Sequence, residues 1–241
     1  MDSPTRQFPS QTGFPAAAPF ADATRIASFL TSVYGWMCAG LAITAATAWF
    51  VAGSPAILNA IVGNRALFWV LILAQFGLVV ALSARVQKMA APTAALLFVA
   101  YAALTGVTLS FILLLYTGES ISTTFVITAG AFGGMALYGT TTGRSLSAFG
   151  QFLFIGLIGV VLASIVGMFW HNDGLQFILS VIGVIVFAGL AAYDAQRLKM
   201  MALSAPEGPL STYAVVGALT LYLDFINLFL FLLRFTGNRR R

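Results

Sequence analysis

Charge is what this 241-residue sequence has least of: 8% of its residues are charged and 60% are hydrophobic. A soluble domain carries about 25% charged residues. The composition excludes a water-soluble globular domain and leaves an integral membrane protein, of a length that one domain accounts for. Histidine and cysteine occur once each, as His171 and Cys38. A lone histidine excludes an HExxH zinc motif and most multi-histidine sites. It also leaves a Ser–His intramembrane protease with only a loop residue, in "WHNDG". A lone cysteine in an apolar segment excludes an internal disulfide and reads as a packed thiol. The two lysines, Lys88 and Lys199, both fall at helix ends, so the last apolar segment lacks the mid-helix lysine that a retinal Schiff base needs. Phosphate-binding loops and metal-ligand clusters are missing too. Neither an enzyme nor a bound cofactor is expected. The net charge of +5 comes from basic residues scattered at helix ends. With no basic face, it reads as topology signals and attraction to anionic lipid, not as nucleic-acid binding.

What is present is long apolar runs. Residues 1–25, rich in Pro, Ala and Ser and without a signal-peptide core, are expected to form a disordered cytoplasmic tail. Residues 26–241 form the transmembrane domain, with seven spans near 31–52, 66–84, 94–116, 122–141, 148–170, 175–194 and 210–234. Each is about 20 residues, enough to cross roughly 30 Å of hydrocarbon as a helix, and only helices satisfy the backbone there without closing a barrel. The fold class is therefore an all-α, seven-helix membrane bundle. Arg25, Arg85, Lys88, Arg144, Arg197 and Lys199 lie on the N-terminal side, and the opposite loops hold only Arg65. The N-terminus is thus expected in the cytoplasm. Trp49, Trp69, Tyr116 and Trp170 would form an aromatic belt on the other face. Arg239, Arg240 and Arg241 break the charge rule if the last segment spans fully, and a re-entrant segment would satisfy it. The length of the run favours a full span. Gly130 and Gly134, and Gly159, Ala163 and Gly167, repeat at four-residue spacing and suggest close helix packing.

Only two acidic residues lie inside spans, Asp194 and Asp224. At 100° per residue, Tyr213, Gly217, Thr220, Asp224, Asn227 and Arg234 share a stripe about 100° wide, amid Leu, Phe, Val and Ile. Ser180, Gly183, Asp194 and Arg197 share a side of the preceding span. Asp224 is expected to face the bundle interior. One reading makes it a structural carboxylate satisfied by hydroxyls. The other makes it part of an ion or proton site: two carboxylates close together in a low dielectric cannot both ionise cheaply, so they would share a proton.

The C-terminal stretch "GALTLYLDFINLFLFLLRFTGNRR" resembles the signature of the Bax inhibitor-1, or transmembrane Bax inhibitor motif, family. "GVIVFAGLAAYDAQRLK", "YAALTGVTLS" and "FVITAGAFGGMALYGTTTGRSLS" fit the same family, and the likeness covers residues 25–240. It looks most like the bacterial inner-membrane branch. The resemblance implies a bundle with the seventh span at its centre and a pH-sensitive calcium leak. It also implies that Asp194 and Asp224 are the family's aspartate pair. It further implies a basic latch at the cytoplasmic end of the second span, for which "SARVQK" offers Arg85 or Lys88. Thr220 and Asn227 would support a weak, transient calcium site. The expected partners are the lipid bilayer, calcium or protons. The alternative is a membrane interaction protein that modulates a membrane protease or stress and cell-death signalling.

Overall fold

The computed structural model describes residues 18–85, 89–170, 172–204 and 210–240. Its elements are α1 (Ala18–Ala52), α2 (Pro55–Gly63), α3 (Arg65–Arg85), α4 (Ala91–Leu115), α5 (Gly118–Thr141), α6 (Ser147–Phe169), α7 (Asp173–Ser204) and α8 (Leu210–Thr236). Seven of these are long and apolar enough to cross a membrane. No strand occurs among the described residues, which hold only one isolated antiparallel bridge, Tyr116 to Arg239.

The span boundaries follow the apolar runs, with three differences. α1 already includes residues 18–25, which were expected in the tail; residues 1–17 lie outside the described set. α7 continues well beyond residue 194, because "AQRLKMMALS" is rich in good helix formers and keeps the helix going past the apolar stretch. The short helix α2 was not expected. It follows a local signal that hydropathy misses, a proline at its start and Asn64 after it. Asn64 then starts α3, its Oδ1 accepting from the amides of Ala66 and Leu67 at 3.0 and 3.2 Å.

α8 is the central helix. Of its most apolar stretch 61% is buried, against 50% in α7 and 6% in α3. α8 packs on α7, α1, α5 and α4. Tyr222, fully buried, ties three helices together. Its hydroxyl and that of Thr44 on α1 are hydrogen-bonded at 2.6 Å, and Thr44 Oγ1 donates to the Ala102 carbonyl of α4 at 2.9 Å. Phe98 and Tyr101 meet the Tyr222 ring edge-on. On α5, Phe125 and Phe132 do the same to Phe225.

Close helix approach is real, but of the expected glycines only Gly167 takes part, where a Cβ would stand 3.1 Å from Gln176 Nε2 of α7. A Cβ on Gly130, Gly134 or Gly159 would meet nothing within 4 Å. The buried face of α5 is instead Thr124, Thr128, Phe132, Ala136 and Gly139, and the Gly130–Gly134 pair lies on the opposite side. Gly139 is where α5 touches α7: a Cβ there would collide with the backbone carbonyl of Ala192. Below this contact, α7 grips the α5–α6 connection. Lys199 Nζ donates to the Thr140 carbonyl at 2.7 Å, and Gln196 bonds both Leu146 N and the Arg144 carbonyl. These groups satisfy the orphan carbonyls and amides of the helix ends.

The last segment crosses the bundle completely. Near its start, Thr212 Oγ1 donates to the Met89 carbonyl in the α3–α4 connection. Beyond its end, Thr117 N donates to the Asn238 carbonyl and Arg240 N to the Leu115 carbonyl, at the α4–α5 turn. α8 is one continuous helix between these two opposite ends, and no re-entrant turn is present. The same C-terminal strap covers Tyr116, which is 5% exposed. Trp49, Trp69 and Trp170 stand exposed at that end of the bundle, but Tyr116 is not part of their belt.

With this geometry and the loop charges, reporter fusions should place residue 1 in the cytoplasm and residue 241 across the membrane. A cytoplasmic signal from both ends would contradict the full crossing.

Candidate functional site

Asp194 and Asp224 come together. Asp194 lies ten residues before the end of α7, and Asp224 fourteen after the start of α8. Because α7 is longer than its apolar run, Asp194 sits well inside the bundle. A depth mismatch of about 6 Å at helical rise is taken up by the packing of the two helices. The carboxyl groups face each other within hydrogen-bonding reach. Both residues are buried, at 8% and 5% exposure. The Oδ2 of Asp224 is the one buried side-chain polar atom, among the described residues, that finds no ordinary donor. A bare carboxylate without a donor is costly in such a place. Two deprotonated carboxylates cannot bond to each other, but one proton held between them makes the bond and satisfies that oxygen.

The polar stripe on α8 points where two clefts open. The apolar side of the helix, with Ala218, Tyr222 and Phe225, takes the packing of α1, α4 and α5. Thr220, Asp224 and Asn227 border a cleft of about 760 Å3 between α6, α7 and α8, together with Asp194, Arg197 and Gln151. A second cleft of about 300 Å3 lies toward α3, where Ser83 faces Asp194, Arg197, Tyr213 and Thr220. Asp194, Arg197 and Thr220 line both and so form the wall between them. The stripe therefore runs along a cleft, and of its polar side chains only Asp224 is buried, against α7. The reason is that α6 and α8 both pack on α7 rather than on each other.

Thr220 and Asn227 line the cleft without bonding to the aspartates. Thr220 Oγ1 donates to the Val216 carbonyl at 3.2 Å and Asn227 Nδ2 to the Leu223 carbonyl at 2.8 Å. These bonds leave the Asn227 amide oxygen and the hydroxyl lone pairs of Thr220 as acceptors toward the cleft. Arg234, at the far end of the stripe, is turned to α7: its Nη1 donates to Gln176 Oε1 at 3.1 Å, and its guanidinium lies 5.8 Å from the Phe231 ring centre. The latch candidates cannot be placed, because the Arg85 side chain and Lys88 lie outside the described residues, as does His171. Arg197 is the cation that the sequence reading left out of the site. It acts electrostatically on Asp194, and its position three residues on, one turn along the same face, was the available signal.

The fold and the site define a seven-helix integral membrane protein with a carboxylate pair buried between its last two helices. The family model described as inhibitor of apoptosis-promoting Bax1 matches residues 26–241, and the chain belongs to that family. Among its relatives, the inner membrane protein YbhL of Escherichia coli (strain K12) is 51% identical over 216 residues, covering 88% of this chain and 92% of YbhL. A protein of Borreliella burgdorferi is 48% identical over 214 residues, with 88% and 92% covered. One of Deinococcus radiodurans is 42% identical over 217 residues, with 90% and 92% covered.

Proposed function

We propose that the protein is a pH-sensitive leak for calcium or a similar cation, gated by the Asp194–Asp224 pair and a nearby basic latch. The observation that carries this reading is the buried, donor-less Oδ2 of Asp224 beside a second carboxyl on the wall of the 760 Å3 cleft. A carboxylate pair is a poor structural glue in a low dielectric, because it must hold a proton to avoid repulsion. It is a good switch, because its charge changes in steps.

Calcium takes six to eight oxygen ligands. Two carboxylates, the Asn227 amide oxygen and the Thr220 hydroxyl supply fewer, so water completes the shell and binding is weak. Weak binding suits passage.

The sign of the pH response follows from the charge. With no proton the pair carries two negative charges, attracts a basic latch and closes. One shared proton halves that charge, loosens the latch and still leaves a carboxylate for the cation. A second proton removes the attraction for the cation. Flux should therefore rise as pH falls, then drop again in acid. The smaller cleft reaches the C-terminal end of α3, where Ser83 lines it, which is the side from which a latch on the following residues would enter.

Calcium entry into proteoliposomes containing only this chain tests the reading. Flux no greater than in protein-free vesicles would leave a membrane interaction protein instead. For the latch, Arg85→Ala and Lys88→Ala compared singly should give one variant whose neutral-pH leak rises about tenfold, the worth of one charge-assisted hydrogen bond. Unchanged flux in both would remove the latch from the mechanism.

A further inference from the structure

A further cleft lies at the opposite end of the bundle from the α3–α4 connection. The ends of α1 and α4 and the start of α5 enclose a cleft of about 880 Å3, with Arg240, Ser54 and Ser122 among its walls. No carboxylate lines it among the described residues. The arginine is placed there by the backbone: Arg240 N bonds the Leu115 carbonyl and Thr117 N bonds the Asn238 carbonyl, pinning the C-terminal strap across the α4–α5 turn. Among the described residues its guanidinium has no partner.

This mouth continues into a narrow slot of about 190 Å3, with which it shares Trp49, Leu113 and Ile121. The slot runs between α1 and α5, which are held by α8 rather than by each other. Its floor is Phe225 and Phe229, and its one hydroxyl, Thr44, is already bonded to Ala102 and Tyr222. From Trp49 back to Leu41 it covers about 12 Å at helical rise, within one leaflet of a hydrocarbon core about 30 Å thick. Trp49, 78% exposed, stands at the mouth, the level that interfacial tryptophans take.

We infer that this cleft and slot bind an anionic phospholipid, with its phosphate beside Arg240 and the Ser54 and Ser122 hydroxyls and an acyl chain between α1 and α5. The occupant follows from the charge: among the described wall residues the one charged side chain is a cation, at the polar mouth of an otherwise apolar slot, and a zwitterionic lipid would bring a second cation to it. A basic group beside a lipid headgroup is worth enough to select the anionic lipid about fivefold. The site is separate from the aspartate clefts and does not depend on the calcium reading.

Native mass spectrometry of the full chain in detergent, with phosphatidylglycerol or phosphatidylcholine added, tests it. Wild type should retain phosphatidylglycerol about fivefold better. Arg240→Glu should abolish that preference, and Arg239→Glu, one residue outside the cleft walls, should keep it. Ala45→Phe, which fills the slot from an exposed position on α1, should lower retention of phosphatidylglycerol with Arg240 intact. Equal retention of the two lipids by wild type would overturn the proposal. So would equal losses from Arg239→Glu and Arg240→Glu, which would mean diffuse attraction to the basic C-terminus.

Discussion

Asp224→Asn should lower calcium flux about tenfold or more, since losing one charged ligand removes about 1.5 kcal/mol of cation binding. The substitution keeps the shape and offers an amide donor, so the contact with Asp194 persists without a shared proton. The fold should survive, because neutralising a buried carboxylate lifts a desolvation penalty. The pH profile should also change. Wild type passes through two charge steps of the pair. The variant retains only that of Asp194, so the acid limb and the alkaline limb merge into one. Flux against pH for both proteins, at matched levels of folded protein, shows this directly. Superimposable curves would make Asp224 a packing residue.

Gly139→Val should disrupt the fold itself. A side chain at this position meets the Ala192 carbonyl, which is backbone and cannot rotate away. α5 and α7 would have to separate, and with them the Lys199 and Gln196 bonds to the α5–α6 connection. The expected loss is about 3 kcal/mol or more, the upper end of overpacking effects. It would be read as a lower unfolding temperature and reduced monodisperse protein in detergent. Gly134→Val is the matched control, since nothing stands within 4 Å of a Cβ there. Equal damage from the two would mean that the glycines matter for helix propensity or membrane insertion and not for the α5–α7 contact.

These two positions show what could and could not be read from the sequence. The seven spans were legible because hydropathy and length dictate them in a bilayer. The aspartates were legible because a carboxylate inside a span stands out against its neighbours. Their meeting was harder to foresee. It depends on α7 extending to Ser204, a matter of helix propensity beyond the apolar run, which span-finding ignores. The stripe of Thr220, Asp224 and Asn227 was legible as a face but not in its destination. Which side of α8 is covered is decided by α1, α4 and α5, and periodicity along one helix carries no information about its neighbours. The glycine pattern misled for the same reason. Four-residue spacing marks a face that allows close approach, yet among the described residues nothing stands against Gly130 and Gly134, while Gly139, outside that pair, meets the Ala192 backbone. Arg197 was visible on the same side as Asp194 and as a topology signal, but was not counted among the site residues.

The central claim is that Asp194 and Asp224 act as one titrating unit on a cation path. A double-mutant cycle on flux tests it most directly: calcium flux against pH for wild type, Asp194→Asn, Asp224→Asn and the double variant. Residues that share a proton are not independent, so their effects should not add. The account predicts that either single substitution removes most of the flux and one step of the pH response, and that the double variant loses far less than the product of the two single losses. Losses that multiply, with each single variant keeping the full two-step pH response, would contradict it.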